Sequence, residues 1–206
     1  MTNYQQAVAQ ALLDIDAVKL QPNDPFTWAS GIKSPIYTDN RKVISFPIAR
    51  KTIIDGLVAL IKEQYPDVEV IGGVATAGIP HAAWVAEKLG LPLIYVRAQP
   101  KDHGTGKQIE GSLQSGQKVV LIDDLISTGG SVLGAVKATR AAAGEVLGVT
   151  AIFSYELPAA TDNFAQAATT FSSLTNFSSL IQVAKDTGEI THDELAMIAD
   201  WHQTLA

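Results

Sequence analysis

The feature that most constrains the fold is an alternation of short apolar runs with stretches of helical periodicity. The runs are Val68 to Val74, Leu93 to Val96, Lys118 to Ile122 and Val146 to Phe153, and helix-like stretches from Gly78 to Leu89 and from Gly130 to Ala143 lie between them. Strands this short and this continuously apolar are buried on both faces, and helices between them supply the crossovers of a parallel sheet. The pattern therefore predicts an α/β domain with a central, mostly parallel sheet flanked by helices. Gly144 is placed to end the second helix in a left-handed cap.

The flanking segments read differently. Ala7, Val8, Ala11, Leu12 and Ile15 fall at helical spacing behind a Thr2 to Gln5 capping pattern, predicting a helix that ends near Asp16. From Gln21 to Arg41 the period disappears, and Pro22, Pro25, Gly31 and Pro35 interleave with Phe26, Trp28, Ile36 and Tyr37, as in loops and short strands. Ser45 is expected to cap a long helix with Pro47 in its first turn, ending at Tyr65 before Pro66. Beyond the main sheet strands come a strand from Thr169 to Leu174, a helix capped by Thr175, and a last helix opened by Thr191 with Glu194 in capping-box spacing. No repeat, linker or shift in composition marks a second domain.

Composition narrows the function classes. With 206 residues, 47% hydrophobic and 17% charged, the chain has the apolar content of one folded domain rather than of a disordered segment. Charge interrupts every apolar run well before the roughly 18 residues of a membrane span. The N-terminal residues show no basic region ahead of an apolar stretch, and there is no cysteine, so a reducing cytoplasm is the expected location. A net charge of -6 argues against a broad nucleic-acid footprint, so any anionic ligand must be held by a local site.

In an open parallel sheet, ligands bind at the carboxyl ends of the strands. This confines the search to the segments after Val74, Val96, Ile122 and Phe153. The most informative is the third, where Val119-Val120-Leu121-Ile122 runs into Asp123-Asp124-Leu125-Ile126 and then into the small-residue turn Ser127-Thr128-Gly129-Gly130-Ser131. Backbone N–H groups at the start of the next helix, with the hydroxyls of Ser127, Thr128 and Ser131, can converge on a phosphate. The two carboxylates are acceptors for vicinal hydroxyls. Together they describe a site for a ribose 5-phosphate. No Gly-Lys-Ser/Thr follows the glycines, and Gly-x-Gly-x-x-Gly is absent, so neither a Walker loop nor a dinucleotide turn is present.

Two other segments admit a binding reading and a plainer one. Arg97, Lys101 and Lys107, with His103, Gly104 and Gly106, make a basic, glycine-rich stretch on an acidic protein. It is suited to a mobile lid over a diphosphate, or else is a solvated charged hairpin. Gly72-Gly73-Val74-Ala75-Thr76-Ala77-Gly78 offers either close helix packing or a second backbone anion site. His81, His192 and His202 are not at metal-ligand spacing and are expected in structural or surface roles, and Trp28, Trp84 and Trp201 in packing.

The 119–131 segment resembles the phosphoribosyl diphosphate (PRPP) signature of type I phosphoribosyltransferases. Ser30-Gly31-Ile32-Lys33-Ser34-Pro35-Ile36-Tyr37, Ala75-Thr76-Ala77-Gly78-Ile79-Pro80 and Lys101-Asp102-His103-Gly104 narrow the resemblance to the orotate phosphoribosyltransferase family, over nearly the whole chain. The resemblance implies a single type I phosphoribosyltransferase domain spanning 1–206. Its small N-terminal hood would cover about 1–45 together with C-terminal elements, and its PRPP-binding core about 46–175. It also implies transfer of a phosphoribosyl group from PRPP to orotate, giving orotidine 5′-monophosphate and diphosphate in pyrimidine synthesis. Mg2+ would be held mainly through PRPP and water, with no protein ligands of its own. The enzyme would be a homodimer whose lid reaches the neighbouring subunit.

Carried over residue by residue, the family pattern assigns PRPP to Arg97, Lys101, His103, Asp123, Asp124, Leu125, Ile126, Ser127, Thr128, Gly129, Gly130 and Ser131. Lys101, His103, Asp123 and Asp124 fall in the catalytic positions, and Ser127 in one that touches orotate. Four departures from the enterobacterial and fungal pattern cover five positions. Ala29 and Ala98 replace lysines, Thr76-Ala77 replaces Tyr-Lys, and Glu156 replaces an orotate-contacting arginine. The chain resembles the variant branch of Gram-positive bacteria in this. Lys33 and Arg41 are the cations proposed for the orotate carboxylate.

Two other readings follow from the same residues. A phosphoribosyltransferase for a purine base or uracil would favour stacking aromatics and neutral amides, whereas the Ser30 to Arg41 segment offers cations suited to an acid. A PRPP-sensing regulator that binds RNA or DNA would require a basic face or an added DNA-binding module, and an acidic chain without residues to spare for a module is not expected to supply either.

Overall fold

The computed structural model describes residues 2–27, 33–99 and 108–205. Its elements run in the order α1 (Thr2–Asp14), β1 (Val18–Leu20), β2 (Phe26–Thr27), β3 (Lys33–Ser34), β4 (Ile36–Thr38), a 3-10 helix (Asn40–Ser45), α2 (Pro47–Gln64), β5 (Val70–Val74), α3 (Gly78–Leu89), β6 (Leu93–Val96) and β7 (Ile109–Glu110). They continue with β8 (Lys118–Ile126), α4 (Gly130–Ala141), β9 (Glu145–Ser154), α5 (Pro158–Gln166), β10 (Phe171–Asn176), α6 (Phe177–Asp186) and α7 (His192–Gln203). Six strands form one sheet in the order β10-β9-β8-β5-β6-β7, parallel except where β7 runs against β6. The α/β fold read from the sequence is the fold observed. Among the described residues, no helix is long and apolar enough to cross a membrane.

Successive strand residues feed two separate cores, as the two-residue period of a strand requires. Ile71, Val120, Ile122 and Ile152 face α1, α2, α3 and α6, while Val70, Val119, Leu121, Val149 and Ala151 face α4 and α5, where Val132, Val136, Ala160 and Phe164 meet them. Burial on both faces explains why these strands alternate so little in hydrophobicity. The N-terminal segment makes two small antiparallel sheets, β1 with β4 and β2 with β3. Its bonds reach the last part of the chain: Gln5 Nε2 donates to Ser179 Oγ at 2.7 Å, Asn23 Nδ2 to Glu194 Oε1 at 2.7 Å, and Trp201 Nε1 to the Lys33 carbonyl at 2.9 Å.

Several local expectations need correction. α2 is preceded not by a Ser45 cap but by the 3-10 helix, and its N-cap position is Phe46, with no capping side chain. The N-cap of α6 is Asn176, whose side chain accepts from Ser179 N, while Thr175 is still inside the buried strand β10. α4 ends at Ala141, and the left-handed residue after it is Ala143 (φ 62), not Gly144. Gly144 instead sits where a β-carbon would come within 2.9 Å of Leu113. The first helix ends at Asp14, whereas Thr191 and Glu194 form the expected capping box. β7 escaped the sequence reading because a two-residue edge strand carries no period.

Candidate active site

The decisive difference from the sequence reading lies in β8. It does not stop at Ile122 but runs to Ile126, so Asp123 and Asp124 belong to the strand itself. Asp123 is 8% exposed, and its Oδ1 accepts from the Asp124 N–H at 2.9 Å. Burial raises the pKa of both carboxyls, and for Asp123 the nearby Asp124 charge adds to it. Two acids held this way accept hydroxyl hydrogens and gain negative character when a positive centre comes close.

Beyond Ile126, Ser127, Thr128 and Gly129 form the turn that opens α4. Gly129 takes φ 80°, and a β-carbon there would meet Phe164 of α5 at 2.6 Å, so conformation and space both demand glycine. Asn163 of α5 donates through Nδ2 to the Thr128 carbonyl at 2.9 Å, fixing the turn from below. Ser127, Thr128 and Ser131 are exposed. Leu133 N closes onto the Gly129 carbonyl at 2.9 Å, leaving the preceding N–H groups of the first turn directed outward with the positive end of the helix dipole. Such an arrangement is chemically suited to an anion.

The turn after β5 approaches the same place. Gly78 packs against β8 just before the acid pair, where a β-carbon would lie 2.2 Å from the Ile122 carbonyl oxygen. The close-packing reading of this glycine is therefore met. A cleft of about 150 Å³ is lined by Val74, Ala75, Arg97, Gly130 and Ser131, among others, and joins the carboxyl ends of β5 and β6 to the start of α4. Arg97 faces Glu110, with Nη1 3.7 Å from Oε1, and its backbone N–H donates to the Gln108 carbonyl at 2.9 Å. The two ends of the proposed lid are thus pinned together as neighbours of the antiparallel pair β6 and β7. Lys101 and His103, like Ala29, Ser30 and Gly31, lie outside the described residues.

Of the cations proposed for orotate, Arg41 is the one placed beside the acids. Its guanidinium grips Asp39 with two bonds, Nε to Oδ1 at 2.6 Å and Nη2 to Oδ2 at 3.0 Å. This bond holds Asp39 below the ordinary carboxylate range and raises Arg41, to which Asp124 also contributes. Lys33 is turned onto the neighbouring strand, donating from Nζ to Thr27 Oγ1 at 2.6 Å. Glu156 has φ 57°, and its carboxylate accepts from Ser178 N at 2.9 Å, so the position of the missing arginine holds the start of α6. His81 is buried, His202 stacks on Phe177 with ring centroids 4.0 Å apart, and His192 is exposed.

Three contacts had no signal in the sequence. Asn40 Nδ2 donates to the Asp124 carbonyl at 2.8 Å, Tyr155 OH to Thr38 Oγ1 at 2.9 Å, and Asn163 to the phosphate turn. All three join segments far apart in the chain, beyond the range of periodicity. Among the described residues, no three His, Cys, Asp or Glu side chains converge as a metal cage. The hard carboxylate oxygens of Asp123 and Asp124 are of the kind that Mg2+ accepts.

The family described as "Phosphoribosyl transferase domain" matches residues 48–173. An orotate phosphoribosyltransferase of Lactiplantibacillus plantarum is 62% identical over 203 residues, covering 98% of this chain and 96% of the relative. The crystal structure of orotate phosphoribosyltransferase from Aeropyrum pernix superposes with a TM-score of 0.76 at 27% identity, covering 89% of this chain and 99% of that one. The Mycobacterium tuberculosis orotate phosphoribosyltransferase in complex with PRPP gives a TM-score of 0.67 at 25% identity, covering 84% and 98%. Six identical positions in ten across almost its whole length, on a sheet with a buried acid pair running into a hydroxyl-rich turn, mean that this chain belongs to the orotate phosphoribosyltransferase family.

Proposed function

We propose that the chain transfers the 5-phosphoribosyl group of PRPP to orotate, releasing diphosphate and forming orotidine 5′-monophosphate for pyrimidine synthesis. The observation that carries this is the carboxyl end of β8, where a buried acid pair, an exposed hydroxyl turn and a helix N-terminus follow one another within nine residues, Asp123 to Ser131. In this reading the 5-phosphate takes the seat at Ser127, Thr128, Gly129, Gly130 and Ser131, and Leu125 and Ile126 carry the strand between it and the acids. Asp123 and Asp124 accept the ribose hydroxyls and face the positive charge that develops at C1 as diphosphate departs. Arg97 lies across the cleft where diphosphate leaves, with Lys101 and His103 assigned to the same anion and to excluding water from C1.

Mg2+ belongs to this proposal as the cofactor and would be held mainly through PRPP and water. Its chemistry is to spread the charge of the departing diphosphate. Orotate is already anionic at neutral pH, so the protein orients it rather than deprotonating it. Ser127 and Arg41 are its proposed contacts, with Lys33 further out. The N-terminal hood, a homodimer sharing the lid between subunits, and a cytoplasmic location complete the reading.

The test is the loss of orotate absorbance on adding PRPP and Mg2+, with EDTA and Lys101→Ala as controls. Rapid loss, abolished by EDTA and reduced at least tenfold by the substitution, is expected. Diphosphate release with adenine, guanine or uracil but not orotate would overturn the acceptor. Sedimentation of the intact protein as a monomer would overturn the dimer.

A further inference from the structure

β8 outruns one of its neighbours. Its ladder with β5 ends where Gly73 pairs with Ile122, yet the strand continues through Asp123 and Asp124 to Ile126 beside β9. On this stretch the N-terminal segment supplies Asn40, the first residue of the 3-10 helix and 1% exposed. Its Nδ2 donates to the Asp124 carbonyl at 2.8 Å. A carbonyl accepts only from the NH2 side of an amide, so this contact sets the amide's orientation. The other end, Oδ1, is buried with no hydrogen-bond partner in the structure.

Asp124 is thus held at both of its backbone groups, its N–H by the Asp123 carboxylate and its C=O by Asn40. A buried amide that uses only part of its bonding capacity is a poor choice for stability alone, since a buried unsatisfied acceptor carries its full desolvation cost. What the amide does accomplish is to fix the peptide between the two acids and the phosphate turn. Two residues earlier in the chain, Thr38 accepts from Tyr155, the residue after β9, and the charge of Arg41, the residue after Asn40, is felt at Asp124.

We infer that Asn40 is a positioning residue, one that aims the Asp123 and Asp124 carboxylates at the ribose carbon while leaving phosphate binding to the α4 turn. The inference rests on the function proposed above and adds to it. Losing the amide should weaken the response to positive charge at the ribose far more than it weakens binding of the ribose phosphate itself.

The experiment compares two probes by calorimetry with Mg2+ and diphosphate present: ribose 5-phosphate, and an iminoribitol 5-phosphate whose ring nitrogen carries a positive charge. Wild type is compared with Asn40→Leu, which keeps the forked shape and removes the donor, and with Asn40→Ala. The ratio of the two affinities is independent of the folded fraction, a loss of which would mimic a lower kcat. The expected result is a ratio lowered at least tenfold in both variants, with ribose 5-phosphate affinity changed less than threefold. A ratio within twofold of wild type in either variant would overturn the inference. So would failure of both variants to yield folded protein, which would make Asn40 a residue of stability. Wild type that leaves orotate unconsumed would instead sink the enzymatic reading, a failure seen in a separate assay.

Discussion

Gly78 lies so close to Ile122 that a β-carbon on it would sit 2.2 Å from the Ile122 carbonyl oxygen and 3.2 Å from the Asp123 Cα. The start of α3 is thereby set by contact with the strand that carries the acid pair. Backbone blocks the added atom, and backbone cannot swing aside as a long side chain can. Gly78→Ala should cost about 3 kcal/mol, lowering the melting temperature by roughly 6 to 12 °C. A thermal melt checks this, and a change below about 2 °C would show that α3 shifts freely.

Asn163 supports the phosphate turn from α5 through one bond to the Thr128 carbonyl. Removing it should leave the fold intact and loosen the seat. Asn163→Ala is expected to raise the PRPP KM about fivefold, equivalent to roughly 1 kcal/mol for one hydrogen bond, with kcat little changed. Steady-state kinetics decide it: an unaltered KM would mean that Gly129 and Phe164 fix the turn without help.

Asp123 links the active site to stability. Burial first, then the Asp124 charge, raises its carboxyl to about 7 from an ordinary value of 3.8. The folded protein therefore binds this proton more tightly than the unfolded chain, so its contribution is complete below about pH 4 and is lost as pH climbs through 7. Asp123→Asn should melt higher than wild type at pH 8, by about 3 °C, with the gap closing toward pH 4, while orotate consumption falls sharply. Parallel melting curves across this range would contradict the argument.

The opposite slope comes from His81, which is buried against Trp84 with no hydrogen-bond partner for either ring nitrogen. Burial depresses its pKa to about 4 from 6.5. Its contribution is present above 6.5 and is lost as pH falls toward 4, because the unfolded imidazole takes up a proton that the folded one refuses. His81→Leu should therefore gain on wild type as the solution is acidified, by about 2 °C between pH 6.5 and 4.5. A constant difference between the two melts would show that the imidazole finds a partner.

What could be read from the sequence follows from range. The sheet strands were visible because residues buried on two faces leave continuous apolar runs, and the phosphate turn because its donors and acids are contiguous from Asp123 to Ser131. The reach of β8 to Ile126 was hidden, since acids on a strand look like the start of a loop. Asn40 was hidden for another reason: its partner lies 84 residues away, and an isolated asparagine in a loop carries no signature of a strut. The sequence shows Glu156 only as a missing arginine, because its partner, the Ser178 N–H in the first turn of α6, lies 22 residues away.

The bonds of Gln5 to Ser179, Asn23 to Glu194 and Trp201 to Lys33 span 174, 171 and 168 residues of sequence. In each of these pairs one segment is made long before its partner. Sheet strands can pair while synthesis proceeds, but α1 and the short strands behind it must wait for α6 and α7. The segment that carries Asn40 and Arg41 takes its final shape only after α6 and α7 have been made, and binding competence should trail sheet formation whenever the protein folds.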